Sequence, residues 1–181
     1  EDKLYWRFVQ DTFEYNQRKG KILDKYGLRK RTKAITQKEE LINRNKDILE
    51  TVYDLALEGV DIYEAEDDGE YEYVYNPDMS RSFSDFCSSA GVTIEQGLNR
   101  WITIEKDKVV FKSPYGEGLA GLLLDRSPHI RYMMSTSDIY RKQRKEIIRV
   151  GMNRIQDYLR SEGINSEYKP RRHTIEADLA D

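Results

Sequence analysis

The chain has 181 residues (21.4 kDa), of which 38% are hydrophobic and 35% charged, and its formal net charge is −3. That length suits one good-sized domain or a domain with an appendage, with core enough to need no staple; a single cysteine and two histidines (Cys87, His129, His173) exclude a disulfide framework and a Cys/His zinc cage. No apolar run nears the roughly 18 residues of a spanning helix and no signal peptide is legible, so no membrane partner is expected and an intracellular location, cytoplasmic or nuclear, is; the missing initiator Met suggests a piece of a longer chain.

Residues 2–26 read as a helix, with Leu4, Tyr5, Phe8, Val9, Thr12, Tyr15 and Ile22 recurring at three- and four-residue spacing, Trp6 and Phe13 flanking them, and Gly27 as the stop. Residues 18–33 hold eight Lys or Arg against the single acid Asp24. After this basic linker, Thr36-Gln37-Lys38-Glu39 has the form of a capping box and predicts a second helix to about Glu58, with Leu41, Ile48, Val52, Leu55 and Ala56 as its buried stripe and Gly59 as its end. Two such helices are expected to pack as an antiparallel pair over residues 1–59.

Alternation resumes on both sides of Asp68-Gly69 and predicts a β-hairpin. One face is expected to carry Tyr63, Ala65, Tyr71, Tyr73 and Tyr75, the other Glu64, Glu66, Glu70 and Glu72. Four like charges on one face repel, so that face must be solvated or meet a basic surface. The wider segment 47–78 holds twelve acids and no Lys or Arg.

Two further capping boxes, Ser82 with Asp85 and Thr93 with Gln96, flank Ala90-Gly91-Val92. Ile94, Leu98 and Trp101 then fall on one helix face and leave Glu95, Gln96, Asn99 and Arg100 outward. The order of short helix, glycine turn and capped second helix resembles the helix-turn-helix of DNA-binding regulators. Residues 102–112, alternating around Lys106-Asp107-Lys108, look like the wing of a winged helix. The resemblance implies that Gln96, Asn99 and Arg100 read base edges, for which amide and guanidinium groups have the right donor and acceptor pattern, and that Lys106 and Lys108 meet phosphates. Two departures stand out: Gly97 occupies a position expected to be apolar, and the spacing from Gly91 to Trp101 is one residue longer than the usual pattern.

Gly116-Glu117-Gly118-Leu119-Ala120-Gly121 matches G-x-G-x-x-G, yet three residues separate it from the preceding strand and no second parallel strand bearing an acid follows, so a loop is expected and no cofactor. Glu64, Glu66, Asp68 and Gly69 imitate a calcium loop, but Tyr75 stands where its bidentate Glu belongs. Asp78 with Glu105 has the wrong spacing for a nuclease metal site, and neither histidine has a nucleophile motif around it, so no metal or catalytic residue is expected.

The last long helix is predicted from about Ser137 to Glu162, with Ile148, Met152, Ile155 and Leu159 as its apolar stripe and a basic stripe including Lys142, Lys145 and Arg149 beside it. Residues 164–181 lack periodicity and read as an extended tail.

The fold expected is a mainly helical α+β protein in which the helical pair 1–59 and the region 60–163 form one compact domain. The expected function is a non-enzymatic nucleic-acid-binding factor, associated with transcription or replication, that takes duplex DNA through Gln96, Asn99, Arg100, Lys106, Lys108, Lys142, Lys145 and Arg149. The alternative is an interaction module whose Glu64, Glu66, Glu70 and Glu72 bind a basic protein surface in imitation of DNA charge. A metal-dependent nuclease ranks third.

Overall fold

In a computed structural model the described residues are 2–23, 29–64, 71–76, 82–114, 117–126 and 137–179. The chain divides into two compact units, Glu1–Glu40 and Leu41–Asp181, and its class is the mainly helical α+β that the sequence indicates.

Unit one holds α1 (Asp2–Leu23) and most of α2 (Arg29–Arg44). Helix α2 begins before the Thr36 capping box, which therefore lies inside it: residues 29–35 contain neither Gly nor Pro and continue the helix. On α1, Leu4, Tyr5, Trp6, Phe8, Phe13 and Tyr15 are all exposed. Helix α2 opens on five polar residues, Arg29 to Lys33, and Ile35 on it is exposed.

Unit two is built on α3 (Lys46–Leu57). The helix is interrupted for a single residue at Asn45, whose amide and side chain both donate to the Leu41 carbonyl. The buried stripe continues across it through Leu41, Ile42, Leu49, Val52, Tyr53, Ala56 and Leu57, with Ile48 and Leu55 at its edge only partly buried. Tyr53 organises the core around it. It stacks on Phe83 at 4.7 Å and meets Phe111 edge-on, while its hydroxyl donates to the Lys112 carbonyl at 2.8 Å. Full burial pushes that hydroxyl's pKa far up, so it stays a donor.

The first hairpin pairs β1 (Val60–Glu64) with β2 (Tyr71–Tyr75) in a register that sets Tyr63 opposite Glu72 and Glu64 opposite Tyr71. Opposed residues share a face, so Tyr63 lies with Glu72 and Val74, and Glu64 falls on the strand positions of Tyr71, Tyr73 and Tyr75. The expected division into a tyrosine face and a glutamate face fails because opposed positions across this ladder are one odd and one even. The inner positions, Val60 and Ile62, are buried. The hairpin packs on α7 (Ser137–Ser161), whose Arg154 lies over the Tyr75 ring at 4.0 Å.

Helices α4 (Phe83–Ser89) and α5 (Ile94–Trp101) follow, then the hairpin β3 (Ile102–Glu105) and β4 (Lys108–Phe111), the short α6 (Ala120–Arg126), and α7. On α7, the expected stripe of Ile148, Met152, Ile155 and Leu159 is buried and packs on α3 and α6.

Residues 164–179 are a hairpin: β5 (Ser166–Lys169) pairs with β6 (Thr174–Ala177), and β6 pairs with β4. The result is an antiparallel sheet of order β3-β4-β6-β5. The lack of long-range periodicity in the sequence reflects strands only four residues long. Ile102, Val109, Phe111, Ile175 and Ala177 line the inner face. The outer face carries charge, where Arg172 grips Glu105 with two bonds of 2.8 and 3.0 Å. Gly118, from the G-x-G-x-x-G run, serves this sheet: a Cβ there would collide with the Arg172 and His173 carbonyl oxygens.

Candidate nucleic-acid interface

Both sequence-predicted caps are present. Ser82 Oγ accepts the Asp85 amide at 3.1 Å, and Thr93 and Gln96 cap α5 reciprocally at 3.2 and 3.0 Å. Between the helices, the Val92 amide donates to the Cys87 carbonyl and the Gly91 amide to the Ser88 carbonyl, which is a Schellman turn. Gly91 has φ of 73° there, a conformation that favours glycine.

Gly97 is the residue whose presence the sequence left unexplained. A Cβ at this position would lie 2.7 Å from Cys87 Sγ, 3.1 Å from Trp101 and 3.2 Å from Phe83. It is the contact point at which α5 approaches α4, and the apolar side chains it admits come from its neighbours. Cys87 is a buried packing residue whose thiol burial pushes up to about 11.

Outward on α5, Asn99 and Arg100 are exposed and, with Gly91, Val92 and Gln96, line a depression of about 550 Å³. Gln96 shares this position but is held back over the helix start by the bond from the Thr93 amide. On the other side of Arg100 lies a groove of about 690 Å³ walled by Phe86, Ser89, Ala90, Trp101, Ser113 and Pro114. Sequence reasoning missed this groove, since Trp101 reads as a core residue and Ser113 and Pro114 as loop.

Lys106 and Lys108 are exposed at the β3–β4 connection, where Lys106 and Asp107 have φ of 50° and 64°. Positive φ at both central residues is the signature of a type I′ turn, which matches the twist of the strands it joins. Four residues of strand, about 13 Å, separate α5 from this turn.

Helix α7 is placed differently. Lys142, Lys145 and Arg149 are exposed on it, but its main contacts are with α3, α6, β5 and the first hairpin, whereas α5 packs on α3, α4 and β3. Arg149 is bound to Glu146 at 2.7 Å. Among the described residues Arg100, Lys106, Lys108, Lys142 and Lys145 have no carboxylate partner.

Carboxylates border the two helices. Lys46 binds Glu95 at the start of α5 and holds that carboxyl below its usual range. Asp54 accepts the Phe83 amide at 2.5 Å and so caps α4 from α3; burial raises its pKa, and burial likewise raises that of Glu50. The candidate surface is thus basic toward Arg100 and the β3–β4 turn and acidic toward α3.

Of the alternative acidic set, Glu72 is exposed opposite Tyr63, Glu64 lies across the ladder from Tyr71, and Glu66 and Glu70 lie outside the described residues. Asp78, Tyr115 and His129 also lie outside them. Among the described residues no group of three or more His, Cys, Asp or Glu side chains is arranged to hold a metal ion, and no helix is long and apolar enough to cross a membrane.

No protein-family model matches the chain, nor does any curated protein or solved structure.

Proposed function

We propose that this protein binds duplex nucleic acid, with α5 as the reading helix and the β3–β4 turn as a phosphate contact, as a regulatory factor of transcription or replication. The observation that carries the reading is the capped helix, Schellman turn and capped helix running directly into a hairpin, with Asn99, Arg100, Lys106 and Lys108 all exposed along it. A cation with no carboxylate partner gives up no ion pair when it meets a phosphate, and release of the counterions condensed on the duplex then favours association. Asn99 and Arg100 have the side chains that discriminate adenine and guanine in a major groove. Gln96 contributes to the helix cap in this reading, and Lys142, Lys145 and Arg149 lie on α7, whose main contacts are with α3, α6, β5 and the first hairpin, so they take no part in it.

The test is binding of a labelled duplex of about 20 base pairs across a salt series. Affinity is expected to fall steeply with salt, and Lys106→Glu with Lys108→Glu to flatten that dependence, by about one unit of slope for each phosphate no longer engaged. Arg100→Ala should cost roughly tenfold or more and relax sequence preference, whereas Lys142→Glu with Lys145→Glu should leave affinity near wild type. Absence of any complex at low ionic strength refutes the reading, and equal weakening by the α7 pair refutes its geometry.

A further inference from the structure

Helix α1 carries the largest unexplained feature of the molecule. Leu4, Tyr5, Trp6, Phe8, Phe13 and Tyr15 are each between 62 and 74% exposed on a 22-residue helix. At 3.6 residues per turn these side chains, with Val9, occupy an arc of roughly 200°, while Lys3, Arg7, Glu14 and Arg18 project from the remainder. Thr12 and Asn16 interrupt the arc, yet six large apolar side chains exposed on one helix are more than a protein surface ordinarily leaves to water.

Two properties of the face and its neighbourhood select an occupant. The arc is about twice as wide as the two-helix seam of a coiled coil, and five of its seven members are Trp, Tyr or Phe where such a seam requires branched aliphatics. Tyrosine and tryptophan, with an apolar ring and a polar tip, suit the boundary between headgroups and acyl chains. The same helix ends in the chain's most basic stretch, residues 18–33, eight cations against one acid. An aromatic helix face joined to a polybasic stretch supplies the two contributions, apolar insertion and attraction to negative headgroups, that stable peripheral attachment requires.

We propose that α1 lies in the plane of an anionic lipid surface, its aromatic face among the headgroups, with the cations counted in the sequence after Gln17 adding attraction to the surface charge. This is attachment to one leaflet and needs no spanning helix. It is independent of the nucleic-acid reading, which concerns α5 and the β3–β4 turn.

The test uses the full chain with vesicles of phosphatidylcholine alone or with about 30 mol% phosphatidylserine, the lipid class that gives the cytoplasmic leaflet its negative charge. The protein should float with the anionic vesicles about tenfold or more over the neutral ones and detach as salt rises. Brominated acyl chains should quench Trp6, and Trp6→Phe should remove that quenching; Trp101, the other tryptophan, is buried at 7% exposure and stays silent. Phe8→Glu with Phe13→Glu should lower partitioning about tenfold or more. Because those changes could instead unfold α1, the quenching of Trp6 in the wild-type chain stands as the independent measurement. Unquenched Trp6, flotation unaffected by the two glutamates, or a Trp6 environment that becomes apolar with protein concentration and no lipid, which marks a second copy as the occupant, each overturn the proposal. So does flotation that duplex DNA abolishes with Trp6 never quenched, which assigns the basic stretch to nucleic acid.

Discussion

Helices α1 and α7 are close in length, 22 and 25 residues, and each carries an apolar stripe at helical spacing, yet one stripe is open and the other is buried. What separates them is the chain around them. Helix α7 has α3 and α6 to pack on and buries Ile147, Met152, Ile155 and Leu159 completely, and Arg154 ties it to the end of α3 by a 2.7 Å bond to Glu58 and a bond to the Leu55 carbonyl. Helix α1 has Leu4, Tyr5, Trp6, Phe8, Phe13 and Tyr15 exposed. Amphipathic periodicity therefore reports that a face wants covering and is silent on what covers it. The exposed stripe of α1 has its use outside the fold; that of α7 holds the fold together.

The largest expected effect tests that contrast directly. Ile155→Ala on α7 should destabilise unit two by about 2–5 kcal/mol, because the missing burial is compounded by a cavity the close-packed surroundings cannot fill. Phe8→Ala on α1 removes a larger side chain and should change stability by no more than about 0.5 kcal/mol. Urea titrations of the two variants decide the matter, and comparable losses would mean that α1 is packed in solution.

Gly97→Ala ranks next and extends the comparison to the face α5 turns toward α4. Alanine is the better helix former by about 1 kcal/mol. Its methyl, however, would sit 2.7 Å from Cys87 Sγ and close to two aromatic rings, none of which is a flexible chain end. Overpacking of this kind costs about 1–3 kcal/mol, so a net loss is expected, read as a lower melting temperature; a rise would show that α4 and α5 can separate freely. The same close approach explains why Gly97 looked out of place in the sequence. A helical glycine in an apolar stripe signals close approach only once its neighbours in space are known, and Cys87 and Phe83 lie ten and fourteen residues away.

Local rules made the helix pair legible. The Ser82 and Thr93 caps, the Gly91 turn and the Trp101 face each depend on residues at most a few positions apart, and all were readable. The start of α2 was not, since the Thr36 capping box matched a pattern that a continuing helix simply absorbed. The hairpin faces were misassigned because register depends on strand ends, which composition around Asp68-Gly69 did not fix. The β5–β6 hairpin was missed because its strands are held by β4, more than fifty residues earlier. For the candidate interface, Asn99, Arg100, Lys106 and Lys108 follow from helical and strand spacing. Which elements carry Lys142, Lys145 and Arg149 and what α7 packs against depend on contacts that no spacing along the chain contains.

A smaller effect is expected at the start of α4, where coverage is polar. Asp54→Ala leaves the Phe83 amide without its acceptor and should cost about 1 kcal/mol, as removal of a helix cap does. Asp54→Asn keeps an acceptor oxygen and should be milder. Burial raises the Asp54 pKa above its unfolded value, so its favourable contribution is complete below the unfolded pKa and is lost as pH rises through the folded one. Wild type should accordingly gain stability relative to Asp54→Asn on going from about pH 7 to pH 4, and parallel pH curves would show that Asp54 is solvated.

The smallest effect belongs to a half-exposed ion pair on the outer face of the sheet. Arg172 holds Glu105 with two hydrogen bonds and depresses its pKa, with Lys112 adding to the attraction from 3.7 Å. The sign is the reverse of that at Asp54: the stabilisation is present above the unfolded carboxyl pKa and disappears as pH falls through the lower folded one. Both partners are more than a third exposed, so solvent and salt screen most of the attraction. Glu105→Gln should therefore lower the melting temperature slightly at neutral pH and low salt, with the difference from wild type vanishing in acid and shrinking in high salt. If the difference persists in both, Glu105 acts by packing over the sheet and the charge on this face is incidental to the hold of β5–β6 on β3.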